Sequence, residues 1–167
     1  MAFPYLELEH PLRFAHRGSR VLWPENTAEA FQGAVDLGYR YIETDVRITS
    51  DGVVVVFHDE TLDRTTNGTG PVERWELKDL RHLDAAWWFD AGSDYPLRGT
   101  GVRVRTLDEV FAMWPDVHFN IDLKGRAMEW AVADVIKRHG REGSTLVGSF
   151  VDHRVAKFRR ITRGEIA

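Results

Sequence analysis

Apolar residues recur along this chain in two rhythms, short strand-like runs and longer helical stripes. Residues 13 to 16 (Arg-Phe-Ala-His) form a brief apolar run closed by Arg17-Gly18, a strand running into a turn. Pro24-Glu25-Asn26-Thr27 then opens a helix, with Asn26 and Glu29 at capping-box spacing. Phe31, Ala34 and Val35 form its apolar stripe, and Gly38 ends it. Residues 41 to 48 read as a second strand, Asp51-Gly52 as a turn, and residues 53 to 57 as a short strand after it. Thr106 and Glu109 repeat the capping box ahead of Leu107, Val110, Phe111 and Trp114. A strand over 118–124, a helix over 128–139 ended by Gly140, and a strand over 145–150 follow; Asp152 is placed to cap a last helix reaching Ile161.

Strands alternating with helices predict an α/β fold with a parallel sheet and right-handed crossovers. Residues 60–105 differ from this pattern. They begin turn-rich (Thr65 to Pro71) and carry Trp87, Trp88 and Phe89 without a clear period. They read as an insertion of short elements within a single domain spanning 1–167. Its aromatics serve either as a substrate wall or as packing onto the body, and packing is the commoner use of such area.

The strands carry an unusual set of charges. Side chains alternate across a strand, so Tyr41, Glu43, Asp45 and Arg47 share one face, while Ile42, Thr44, Val46 and Ile48 share the other. His118, Asn120, Asp122 and Lys124 likewise oppose Phe119, Ile121 and Leu123. Charges inside apolar strands are costly unless paired or metal-bound. Glu43, Asp45 and Asp122 suit a hard divalent cation, Mg2+ or Ca2+, through oxygen ligands. The competing account is ion pairing with Arg17, Arg47 and Lys124. His16 and His58 end two different strands, each beside an ionic residue, and can act as base and acid near neutral pH. Arg17 and Lys124 can hold a phosphate. The other histidines, His10, His82, His118, His139 and His153, read as structural or solvated. Metal, cations and histidines around one cleft describe phosphoryl-ester cleavage.

Composition narrows the setting. The 167 residues are 43% hydrophobic with a formal net charge of -4, an ordinary globular balance with no basic block for nucleic acid. The basic tail (Arg154, Lys157, Arg159, Arg160, Arg163) reads as the wet face of the last helix rather than a phosphate patch. No cysteine is present, which excludes disulfides and thiolate metal sites. The amino-terminal residues lack a signal-peptide pattern and no run suits a bilayer, so a cytoplasmic protein without stable membrane insertion is expected.

The motifs H-R-G-x(6)-E-N-T-x-x-A-F, E-T-D-V-R-I-T-x-D-G-x-x-V-V-F-H-D and N-I-D-L-K resemble glycerophosphodiester phosphodiesterases, from about Phe14 to Phe158. The resemblance implies a TIM barrel with a small insertion after the H-D motif. It implies His16 and His58 as the acid–base pair, with His16 the base and His58 the leaving-group acid. It further implies a Mg2+ or Ca2+ ion on Glu43, Asp45 and Asp122, Arg17 and Lys124 on the phosphate, and Glu25 and Asn26 completing the substrate edge. The implied reaction releases sn-glycerol 3-phosphate and an alcohol, through attack of the glycerol 2-hydroxyl and opening of a cyclic phosphate by water. The family more often has Glu at the place of Asp122. A complete (β/α)8 barrel takes about 250 residues, and about four units are legible here. The expectation is therefore an N-terminal half barrel: a fragment, a truncated product, or a chain that closes its barrel as a homodimer. A non-catalytic remnant that binds phosphodiesters or a partner chain is the alternative.

Overall fold

The computed structural model describes Tyr5, residues 11–92 and residues 94–167. The amino-terminal segment read for targeting signals, including His10, lies mostly outside the described residues. Five strands are present among the described residues: β1 (Phe14–His16), β2 (Tyr41–Ile48), β3 (Val54–Val56), β4 (His118–Leu123) and β5 (Thr145–Gly148). The helices are α1 (Ala28–Asp36), α2 (Leu77–Leu80), α3 (Leu107–Met113), α4 (Glu129–Arg138) and α5 (Asp152–Ile161). Strands β1, β2, β4 and β5 lie side by side in that order, every neighbouring pair parallel. The order never reverses, so the sheet has no doubly wound switch point. It is one wall of a barrel, built by successive βα units.

Register separates the two faces. Ile42 stands opposite Phe119, Thr44 opposite Ile121 and Val46 opposite Leu123, all fully buried. The Phe119 ring meets Phe31 of α1 at 5.9 Å and Phe111 of α3 at 5.7 Å. This apolar face is the main core, and the helices cover it. On the other face Tyr41 and His118 stack at 4.7 Å, and above them come Glu43 beside Asn120 and Asp45 beside Asp122. The polar side chains thus line the inside of the wall.

β2 runs past the end of β1, and there, on the edge away from β4, β3 pairs with it antiparallel, Val46 opposite Val56. The three β3 valines are buried on both sides: Val54 and Val56 join the main core, Val55 a second apolar cluster. That second cluster, with Leu62, Leu80, Ala86 and Val104, is supplied largely by residues 57–104. It explains the unbroken valine run, since a strand between two cores has no polar face.

Two helix starts differ from expectation. Asn26 takes a left-handed backbone (φ 57°), which a cap in extended conformation cannot have, so Thr27 caps α1 and accepts from the Ala30 amide at 3.3 Å. Asp152 is itself the first residue of α5, and Val151 precedes it without a side-chain cap. Its charge there still opposes the helix dipole favourably. The capping box at Thr106 and Glu109 forms as read. In the basic tail, Arg154 donates to the Leu123 carbonyl and Lys157 pairs with the buried Glu129 at 2.8 Å, fastening α5 to the body.

Replacing Phe119 with Ala is expected to cost about 3–5 kcal/mol, because the cavity opens between two helices and the sheet. Phe14→Ala, at a half-exposed position on β1, costs far less. Urea unfolding of the two variants measures the difference.

Candidate active site

The first βα loop is folded back on itself. His16 closes β1 directly opposite Glu43, its Nε2 3.6 Å from Glu43 Oε2. Arg17 turns the chain in the left-handed region (φ 56°), and its amide donates to the Glu43 carbonyl at 2.8 Å and to Glu43 Oε2 at 3.2 Å. Gly18 follows at φ 72°, where a Cβ would stand 2.7 Å from the Ala30 carbonyl carbon. Only glycine lets the loop lie this close to α1. The Arg17 side chain then reaches inward, Nε 3.0 Å from Asp45 Oδ2 and NH1 donating to Glu25 Oε1 at 2.9 Å. Asn26 is buried behind it. Its Nδ2 donates to Asp45 Oδ2 at 3.0 Å and its Oδ1 accepts from Thr44 Oγ1 at 2.8 Å.

Three carboxylates converge on the inner face. Asp45 and Asp122 are direct cross-strand partners, and Glu43 lies one step down the same face of β2. Each offers an oxygen within 4.8 Å of the other two. Lys124 Nζ donates to Asp122 Oδ2 at 2.6 Å and lies 3.3 Å from Asp45 Oδ1. Arg47, a third candidate cation, is turned away and donates to the His58 carbonyl. Three acids therefore meet two cations, Arg17 and Lys124. Glu43 is the acid left without either side chain close to it. Its burial and the nearby charge of Asp45 push its carboxyl up to about 7. Asp45 Oδ1 and Asp122 Oδ1 are buried and accept no hydrogen bond. Asp45 Oδ1 has only the Lys124 ammonium near it and Asp122 Oδ1 has no partner among the described residues; such hard oxygens beside a destabilised carboxylate fit a divalent cation, and these three residues could hold one.

His58 follows β3, and the amide of Phe57 donates to the Asp45 carbonyl at 2.9 Å, so the β2–β3 hairpin brings it to the acids. Its Nδ1 is 2.6 Å from Asp59 Oδ1. On the other side, burial and then the Arg17 charge hold the His16 imidazole below its ordinary value. The resulting cleft encloses about 590 Å³. His16, Arg17, Glu43, Asp45, His58, Asp122 and Lys124 all line it; Glu25 and Asn26 stand behind, holding Arg17 and Asp45. Sequence reasoning missed Phe150, 91% exposed at the rim with its ring 5.0 Å from Lys124 Nζ. It also missed Arg64, which binds both Glu25 and Asp59. An exposed apolar residue just after a strand was a signal for the first; a partner 39 residues away in sequence left none for the second. Trp87 and Trp88 lie outside the cleft, packed by the Arg98 guanidinium. His118 belongs to the aromatic layer, His139 Nε2 donates to Asp108 Oδ1 at 2.8 Å, and His82 and His153 are exposed.

The Glu43 shift has a consequence for stability. An unfolded glutamate titrates near 4.5 and the folded one at about 7. Stabilisation from the protonated form is complete below the lower value and is lost as the pH rises through the upper one, by about 3 kcal/mol at most. Glu43→Gln cannot ionise. In EDTA it is expected to melt higher than the parent above about pH 8 and to flatten the pH dependence of melting between the two values.

Comparison with known proteins agrees with this geometry. The chain is 40% identical over 146 residues to a glycerophosphodiester phosphodiesterase of Caldanaerobacter subterraneus, which covers 83% of the chain and 58% of that relative. The chain thus spans a little over half the length of the curated relatives it matches. Among solved structures, the glycerophosphoryl diester phosphodiesterase domain of a Mycobacterium tuberculosis protein superposes with a TM-score of 0.87 at 31% identity, covering 95% of the chain and 60% of that domain. An Oleispira antarctica phosphodiesterase, solved in complex with the product sn-glycerol-3-phosphate, gives 0.79 at 32% identity over 94% of the chain and 64% of its own. The fold is accordingly part of a TIM barrel. Residues 16–162 match the model of the glycerophosphoryl diester phosphodiesterase family, and the chain belongs to that family.

Proposed function

We propose that this chain carries the catalytic cleft of a metal-dependent glycerophosphodiesterase, hydrolysing glycerophosphodiesters to sn-glycerol 3-phosphate and an alcohol. The observation that supports it most is the meeting of Glu43, Asp45 and Asp122 between His16 and His58 in one cleft. Mg2+ or Ca2+ held by the three carboxylates would supply charge against the phosphoryl oxygens as negative charge builds there. Arg17 and Lys124 bind the phosphate, using the donors that face the cleft. Glu25 and Asn26 act on substrate indirectly, by fixing Arg17 and Asp45.

His16, biased toward the neutral imidazole, takes the proton from the glycerol 2-hydroxyl as its oxygen attacks phosphorus. The bond from phosphorus to the alcohol breaks, and His58 delivers a proton to the leaving oxygen. Water then opens the cyclic phosphate with the two histidines in reversed roles. Asp59 on Nδ1 leaves His58 Nε2 free to face the cleft. Residues 60–105, with their own apolar cluster, form the insertion beside this site. We place the protein in the cytoplasm; among the described residues no helix is long and apolar enough to cross a membrane. Nucleic acid is not a partner in this reading. A second copy could meet the outer strands β1 and β5, and solution mass tests that pairing.

Release of glycerol 3-phosphate from glycerophosphocholine, read by a coupled assay, tests the proposal. Turnover is expected to require added Mg2+ or Ca2+ and to fall roughly 10²–10⁴-fold in His16→Ala. Unchanged turnover in excess EDTA would sink the metal-dependent reading. Binding of the diester with no product from the metal-loaded chain would favour a phosphodiester-binding remnant, for which the part-barrel extent of the fold is the motive.

A further inference from the structure

The Arg64 guanidinium joins two carboxylates from separate parts of the chain. NH1 and NH2 donate to Glu25 Oε2 and Oε1 at 3.1 and 2.6 Å. Nε and NH2 donate to Asp59 Oδ2 and Oδ1. All three nitrogens are engaged, in a planar fork that lysine cannot reproduce. The two acids differ in what lies behind them. Glu25 is largely buried, and its Oε1 also accepts from Arg17, so it is a fixed anchor. Asp59 is less buried, and its Oδ1 faces His58 Nδ1 at 2.6 Å. Burial is the largest influence and would raise the carboxyls of both acids, but the hydrogen bonds and charge of Arg64, joined by Arg17 at Glu25 and His58 at Asp59, together outweigh it, and both are held below the ordinary range. Each is thus a full-charge acceptor. Arg64 itself is about half exposed and lines no part of the cleft.

We propose that Arg64 is a positioning residue that sets the ring of His58 by locking Asp59 to the anchored Glu25. This inference rests on the hydrolase reading for its catalytic consequence, though not for its geometry. Without the guanidinium, Asp59 and Glu25 are two neighbouring carboxylates that repel. Asp59, the more exposed, swings toward water. His58 then loses the acceptor that holds its Nδ1–H, and with it the orientation that aims Nε2, which carries the transferred proton when the ring is charged, at the leaving group. Arg64 touches neither the acidic triad nor Arg17 and Lys124, and Glu25 keeps its own bond to Arg17 without it, so its loss falls chiefly on the chemical step rather than on substrate binding.

The test uses the whole chain and four variants: Arg64→Gln, Arg64→Lys, Asp59→Asn and the double variant Asp59→Asn/Arg64→Gln. Imidazole 15N spectra, taken above neutral pH where a free ring is uncharged, are expected to show one His58 tautomer, Nδ1–H, in the parent and a mixture in Arg64→Gln. Turnover of glycerophosphocholine should fall by up to about a hundredfold in kcat, the scale of a small misplacement at a reacting group, with KM nearly constant. Arg64→Lys, which keeps the charge and loses a fork, should fall between the two. The double variant should be no slower than Asp59→Asn, since both changes cut one linkage. A parental tautomer and parental kcat in Arg64→Gln overturn the proposal, as does full additivity in the double variant. Should Arg64→Gln fail to fold, parental behaviour in Arg64→Lys overturns the clamp. A parent that turns over nothing defeats the hydrolase reading instead, and the imidazole spectra still decide the role of Arg64.

Discussion

Like charge held on adjacent strands is the constraint from which the rest of this structure follows. Asp45 and Asp122 are placed opposite each other by the parallel register of β2 and β4, with Glu43 one step below. Nothing in a sheet relieves such repulsion, since cross-strand neighbours with the same charge destabilise their pairing. Relief comes from residues the adjoining segments deliver: Arg17 from the turn after β1, Lys124 just past the end of β4, and the Asn26 amide from the start of the first helix. Each is brought in by backbone that is itself unusual. Arg17 and Asn26 both sit in the left-handed region, and Asn26 donates its amide to the Arg17 carbonyl at 2.9 Å. The strain of these two residues is local and is met by hydrogen bonds to the cluster they serve.

Barrel geometry makes this arrangement affordable. A parallel sheet covered by helices on one side needs its other face filled. Here the lower layer is aromatic, with Tyr5, Phe14, Tyr41 and His118 in ring contact. Only the upper layers, at the carboxyl ends of the strands, carry charge. The apolar floor excludes water from below and raises the Glu43 carboxyl, and the open top admits a ligand. Stability and chemistry thus occupy different levels of the same strands.

Much of this was legible because strand periodicity is strict. Alternation alone put Glu43 with Asp45, and Asp122 with Lys124, on the face opposite Ile42 and Phe119. The Thr106 capping box was equally local and equally clear. What failed was local chemistry overridden by distant demand. Asn26 has the side chain of a helix cap, but the buried Asp45 and Thr44 compete for the same amide, and they win because an unmet buried carboxylate costs more than a cap that Thr27 can supply instead. Asp152 fell to a one-residue shift: Ser149 ties the chain to the Leu123 carbonyl and accepts from the Val151 amide, and the helix starts at Asp152, one residue earlier than a cap there would require. Arg64 could not be read at all: its carboxylates come from either side of β2 and meet only once β1 and the β2–β3 hairpin are in place.

Charge balance connects the cluster to the ligand it suits. Arg17 and Lys124 leave one of the three carboxylates unmatched, and that surplus is expressed at Glu43. Lys124 uses Asp122 Oδ2, so Asp122 Oδ1 and Glu43 stay open to a further cation while the ammonium keeps its place. A monovalent ion would only neutralise the site. A divalent one would reverse its sign and leave these groups with a net positive charge. A phosphodiester carries one negative charge, so the bare cluster, net negative, would repel it where the same cluster holding a divalent cation would attract it.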